Sequence, residues 1–177
     1  LSRISKQLVF PESVAVFAGR ARSIVQSGGG VDVAFHGLSF SGAKAPESLL
    51  GKYGAPREGA VNVGIMHSSL AGAPGHDDYA PCGVADLHRH GFDYWALGHI
   101  HSRAVHRGAS IVVMPGMPQG RGIGESGPKS ATLVTIREDR SIELEERPTA
   151  IAQFEKVSVD MTGAVEWREA VERIRSA

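Results

Sequence analysis

The chain lacks a second cysteine, and with it any internal disulfide; the lone thiol, Cys82, fits a reducing, cytoplasmic compartment. It also lacks a surplus of either charge. Nineteen Lys and Arg stand against 19 Asp and Glu, so no sequence-wide electrostatic footprint points to nucleic acid or membrane, and only a local patch is left open. No apolar run approaches the roughly 18 residues of a membrane span, and no charged-then-apolar signal segment opens the chain. A starting methionine is absent too: Leu1 leads "LSRISKQL", as expected of a processed N-terminus or a piece of a longer polypeptide.

What is present reads as an ordinary globular sequence of 177 residues, 42% hydrophobic and 21% charged, enough for one sizeable core. Leu1, Ile4 and Leu8 share a helical face, so residues 1–8 are expected to end a helix that Pro11 closes. "SVAVF" (13–17) and "VDVAFHG" (31–37) read as strands joined by a polar connection with a turn in "SGGG". "APESLLGKYG" (45–54) reads as a short helix. "VNVGIMH" (61–67) and "FDYWALGH" (92–99) are near-continuously apolar, as strands covered on both faces are. "VADLHRHG" between them is a helix stopped at Gly91, which makes a parallel crossover and an α/β fold. Two antiparallel hairpins follow, turning at Gly108-Ala109 and around 138–140, with a long glycine-rich loop between them. A final strand "QFEKVSVDM" and a helix with Thr162 as N-cap and an apolar stripe of Trp167, Ala170, Val171 and Ile174 complete the chain.

Ligands gather at the carboxyl ends of strands in open α/β sheets. His67 closes one expected strand, and "GHIH" places His99 and His101 after the other. Neutral imidazoles suit divalent transition metals, and a pair of metals clamps both oxygens of an in-line phosphoryl displacement. A single strand-terminal histidine is most often merely hydrogen-bonded; the conjunction of three at one sheet edge is what points to a metal. His88 and His90, two apart on a helix, are read as solvated, and His106 as structural. His36 and His76 are read as loop-side residues able to line a pocket.

"VGIMHSSL", "YAPC", "YWALGHIH", "MPGMPQGRGIGESGPKSATLV" and "RPTAIAQFEKVSVDM" together resemble the calcineurin-like metallophosphoesterases, and within them the DNA-repair exonuclease branch of SbcD-like and YhaO-like proteins. The resemblance implies part of an α/β/β/α sandwich with mixed sheets, residues 1–149 being the C-terminal part of that domain and 150–177 the start of an appended strand–helix capping domain. It implies two divalent metals, usually Mn, with His67 and His99 on one and His101 on the other. Arg121 would contact a backbone phosphate through its planar fork; apart from the resemblance, His76 and His36 are candidate substrate contacts as pocket-lining residues. Met117, Gly122 and Ser130 depart from the branch's usual loop pattern.

Three motifs of that family are missing: Asp-x-His, the Gly-Asp that bridges both metals, and Gly-Asn-His-Asp. No catalytic residue is therefore assigned, and the expectation is a truncated chain, inactive alone, because three neutral imidazoles cannot balance two divalent cations. For the parent protein the resemblance implies a metal-dependent DNA exonuclease or phosphodiesterase, with DNA and an SMC-like ATPase as partners. The alternatives are a metallophosphoesterase acting on a small phosphate ester or cyclic nucleotide, and a non-catalytic, partner-binding chain.

Overall fold

A computed structural model describes residues 9–40, 45–70 and 79–177; the helix expected over 1–8 lies outside them. By internal contacts the chain divides into two units. Leu1–Gly116 with Val134–Leu144 make the first, and Met117–Leu133 with Glu145–Ala177 the second. The unit expected over 150–177 falls inside the second.

The first unit is built on a six-stranded mixed sheet. Its strands are β1 (Arg22–Gly28), β2 (Val31–Gly37), β3 (Val61–His67), β4 (Tyr94–Gly98), β5 (Ala104–Arg107) and β6 (Ile111–Met114), in the order β1-β2-β3-β4-β6-β5. The four central strands run parallel, and β1 and β5 are antiparallel edges. The fold is thus mixed α/β, as expected of part of the metallophosphoesterase sandwich. The apolar sequences of β3 and β4 follow from their place, since a core covers each face. One core joins Trp95, Phe92, Leu87, Leu97, Met66 and Met114; the other joins Val63, Tyr94 and Val113.

Between β3 and β4 lies α1 (Val84–His90), ended by Gly91 at φ 89°, the left-handed stop that glycine takes without strain. Asp86 Oδ2 accepts the backbone N–H of Gly83 at the helix start. The buried Trp95 indole donates to the Leu87 carbonyl at 3.2 Å and stacks on Phe92, ring centroids 4.9 Å apart. A two-stranded hairpin, β7 (Ser130–Ile136) and β8 (Ile142–Pro148), packs Val134, Ile136, Ile142 and Leu144 over the second core.

Several elements differ from the sequence expectation. The polar connection before "SGGG" is strand β1, paired along its length with β2 through a turn whose Gly29 and Gly30 both have positive φ. Its Arg, Ser and Gln suit an edge strand half in solvent. "SVAVF" forms no strand, because β1 and β3 already occupy both sides of β2. The expected helix over 45–54 is one 3-10 turn, Leu50–Lys52, since Gly51 and Gly54 weaken a helix this short.

In the second unit "QFEKVSVDM" is unpaired in any ladder. The glycine-rich loop takes over the pairing just before and within it: Gln119 bonds the backbone of Ile151 and Ala152, and the Gly127 N–H donates to the Phe154 carbonyl. The last helix, α2 (Trp167–Ser176), has Glu166 rather than Thr162 at its N-cap position. Thr162 instead sits in a turn closed by Asp160. Trp167 and Ile174, expected to face a core, are 78% and 55% exposed. Among the described residues no helix is long and apolar enough to cross a membrane.

A Cβ added at Gly64 would fall among the Trp95 ring atoms, and Trp95 has no solvent side to move into. Gly64→Ala is therefore expected to destabilise the protein by about 1–3 kcal/mol, read from urea unfolding followed by tryptophan fluorescence. Gly51→Ala, with open space around the new methyl, should stay within about 0.5 kcal/mol of the parent.

Candidate metal centre

The parallel register of β3 and β4 sets His67 opposite Gly98, so His99 leaves β4 beside it. His67 Nε2 and His99 Nδ1 stand 3.2 Å apart, one ring donating and the other accepting. Their centroids are 5.0 Å apart with the planes at 78°. A side chain on Gly98 would come within 3.3 Å of His67 Nδ1, so glycine there leaves the imidazole its place. His99 adopts φ 118°, a conformation costing about 1–3 kcal/mol for a residue with a side chain. Strain of this kind persists where the surroundings over-determine a functional geometry.

Those surroundings are aromatic. Tyr79 stacks on His99 at 5.0 Å and 16°, and meets His67 edge-on at 5.3 Å. Phe40 approaches His67 and Tyr79 from another side. Two serines directly after β3 hold Tyr79 there. The Ser68 N–H donates to the Gly98 carbonyl, extending the ladder past His67, and its hydroxyl donates to the Ala80 carbonyl. Ser69 exchanges backbone and hydroxyl bonds with Tyr79 at 2.7–3.2 Å. Tyr79, Ser68 and Ser69 were not singled out from the sequence as site residues. The one signal was two serines, 0% and 2% exposed, where an apolar strand ends.

Burial, and then the neighbouring His99, push the pKa of His67 below its ordinary value, favouring the neutral ring that ligates metal. The spacing also fits. Metal–imidazole bonds of about 2.0–2.1 Å at tetrahedral to right angles separate two nitrogens by about 2.8–3.4 Å, and this pair lies inside that window. His67 Nε2 and His99 Nδ1 would hold the ion. His101 is exposed, two residues on. A Cβ at Gly116 would press to 3.0 Å from its carbonyl, so the loop carrying it closes on glycine backbone. Among the described residues no three His, Cys, Asp or Glu converge as a metal group. The structure thus brings His67 and His99 together and does not join His101 to them in such a group.

The remaining candidates lie elsewhere. His36 is not loop-side but inside β2, 6% exposed, bonded to Asn62 at 2.9 Å and stacked on Phe92 at 4.2 Å. His76 lies outside the described residues. Arg121, in the second unit, forks onto Glu125 at 2.7 Å. His88 and His90 are not simply solvated: His88 bonds the Ser110 hydroxyl, and His90 donates to the Gly54 carbonyl and packs edge-on against Phe92. His106 stands in β5 with Nε2 buried and, among the described residues, without a hydrogen-bond partner.

Burial lowers the His36 pKa, opposed by the Asn62 bond and aided by His90. The folded chain then resists protonation that the unfolded chain accepts near pH 6.5. Stability is full above that value and falls as pH drops through it toward the lower folded pKa. The melting temperature should hold from pH 8 to 7 and fall by pH 5, and His36→Gln should remove part of that fall, leaving the His67 share. An unchanged slope in the variant would contradict the assignment.

No family model matches the chain. It is 33% identical over 160 residues to the uncharacterized metallophosphoesterase YhaO of Bacillus subtilis (strain 168), an alignment covering 88% of this chain and 38% of that protein. The chain thus spans little more than a third of its relative's length. That likeness over nearly all of the chain supports the metallophosphoesterase family for this protein.

Proposed function

We propose that this chain carries the histidine side of a divalent-metal centre in a phosphodiesterase of the DNA-repair exonuclease type, with Mn as the metal. The observation that supports the reading is the His67–His99 pair, 3.2 Å apart at one sheet edge. The likeness to a metallophosphoesterase adds to it. His67 and His99 hold one ion through Nε2 and Nδ1, and His101 ligates the second. When bound, the metals lower the pKa of a water and neutralise charge gathering on the phosphate oxygens. Tyr79, flat against His99, fixes that ring and keeps bulk water from its face. Imidazoles alone leave two dications uncompensated, so the reading requires carboxylates beyond those that the described residues bring to the pair. By resemblance, an SMC-like ATPase is the partner and the cytoplasm the compartment.

A second reading keeps the chemistry and changes the substrate to a small phosphate ester or cyclic nucleotide. Charge balance favours it: 19 basic and 19 acidic residues provide no general attraction for a polyanion.

The product of the complete reading frame containing these residues, assayed with Mn, tests both readings. His67→Ala and His99→Ala should each lower turnover at least about 100-fold on linear duplex DNA and on bis(p-nitrophenyl) phosphate, with folding intact by circular dichroism. Activity untouched by either substitution, or undiminished by chelator, would overturn the metal reading. Turnover confined to the small ester would leave the second substrate class standing.

A further inference from the structure

The six-stranded sheet has two edges, and they are built differently. β5 is four residues long, ends on Arg107 and directly follows Arg103, so a strand laid against it meets a cation at each end. β1 is seven residues long and pairs with β2 at every position, without a bulge. Charges along the strand, proline and bulges are what ordinarily keep an edge from pairing with another chain. β1 has no Lys, Pro, Asp or Glu, and its one charge, Arg22, stands at its first residue. Among the described residues no strand pairs with its outer side.

The phase of the β1–β2 hairpin decides which backbone groups face outward. A two-residue turn, Gly29-Gly30, joins Gly28 to its partner Val31, and both turn glycines have positive φ. In such a hairpin the pair flanking the turn exchanges both backbone bonds, and every second pair beyond it does the same. Arg22, Ile24, Gln26 and Gly28 therefore direct their N–H and C=O groups to β2. Ser23, Val25 and Ser27 turn theirs to the open side. Of these, the Ser27 carbonyl takes only a long bond, 3.5 Å, from the Gln26 side-chain amide.

The three outward residues are symmetric about Val25, the middle of the strand. A second copy of β1, laid antiparallel with Val25 on a twofold axis, sets Val25 against Val25 and Ser23 against Ser27, outward groups facing outward groups. This is the one antiparallel register that gives all seven residues of each strand a counterpart. Ile24 and Val25, both half-buried in the single chain, come to the centre of the joint. Ile24 falls beside Gln26. Arg22 falls beside Gly28, next to the turn where the Glu138 side chain lies against Gly30. No pair opposes like charges, which would destabilise it.

We propose that β1 is a self-pairing edge, through which two copies of this chain join their sheets into one continuous sheet. Each copy has one such edge, so the assembly closes at two. The inference draws on neither the histidine pair nor a metal.

The test combines sedimentation equilibrium with amide hydrogen exchange on the 177-residue chain in EDTA, from about 10 µM to about 1 mM. The mass should rise from one chain to two across that range. At the upper end the Ser23, Val25 and Ser27 amides should exchange at least about tenfold more slowly than at the lower. Those of Ile24 and Gln26, already bonded to β2, should be protected at both. Val25→Pro removes an outward N–H and leaves the β1–β2 ladder whole, and Val25 belongs to neither core. This variant should sediment as one chain throughout. Val25→Lys sets two cations face to face at the axis and should do the same, so the outcome does not hang on the proline variant alone. Circular dichroism checks that both fold. A parent that stays a monomer, a dimer that survives both substitutions, protection that develops elsewhere, as around the exposed Trp167, or a mass that climbs beyond two chains would each overturn the proposal.

Discussion

The parallel pairing of β3 with β4 fixes the rest of the first unit. In that register Gly64 lies against Trp95, Met66 against Leu97 and His67 against Gly98. The first pair lets a tryptophan lie flat on the sheet, because glycine alone leaves room for its ring. The last delivers two imidazoles to one edge at ligating distance. A slip of one residue would turn His67 away from His99 and drive Met66 out of the core. The same contacts that exclude a slip, Trp95 under α1 and Tyr53 on the Ile65 carbonyl, therefore also hold the site. Stability and site geometry have one cause here.

Strain and charge mark the point where structure turns to function. His99 holds a backbone conformation that most side chains avoid, and stacking from Tyr79 with the Ser68–Ser69 anchors keeps it there. Two rings facing each other across a hydrogen bond make a modest structural contact. They would make a far stronger one to a shared cation, which replaces a single N–H···N bond with two metal bonds. The arrangement is chemically one-sided, however. Among the described residues it offers nitrogen and no carboxylate, which would be only part of the coordination a phosphoester-cleaving centre needs.

Legibility from sequence followed the range of the interactions. Strands β3 and β4, α1 with its Gly91 stop, and both late hairpins were readable because apolar runs and turn residues encode them locally. Strand β1 was not, since a polar edge strand carries little pattern and exists because β2 offers it a free side. His36 was misplaced for a similar reason: its burial depends on Asn62, 26 residues away. Tyr79 was invisible as a site residue because its place comes from hydrogen bonds to Ser69, ten residues earlier, with no periodicity to announce it. The C-terminal "QFEKVSVDM" alternates like a strand, but the glycine-rich loop bonds its Phe154 carbonyl through the Gly127 N–H and takes the residues just before it through Gln119. His67 and His99 were legible because each simply ends an apolar run.

The most direct test of the central claim is paramagnetic broadening on the isotope-labelled chain during Mn titration. Substoichiometric Mn should first broaden the amides of His67, Ser68, Gly98, His99 and Tyr79, and His99→Ala should abolish that pattern while the rest of the spectrum stays native. Broadening that begins elsewhere, around His88, His106 or the acidic hairpin β7–β8, or that survives His99→Ala unchanged, would contradict a metal centre at the β3–β4 edge.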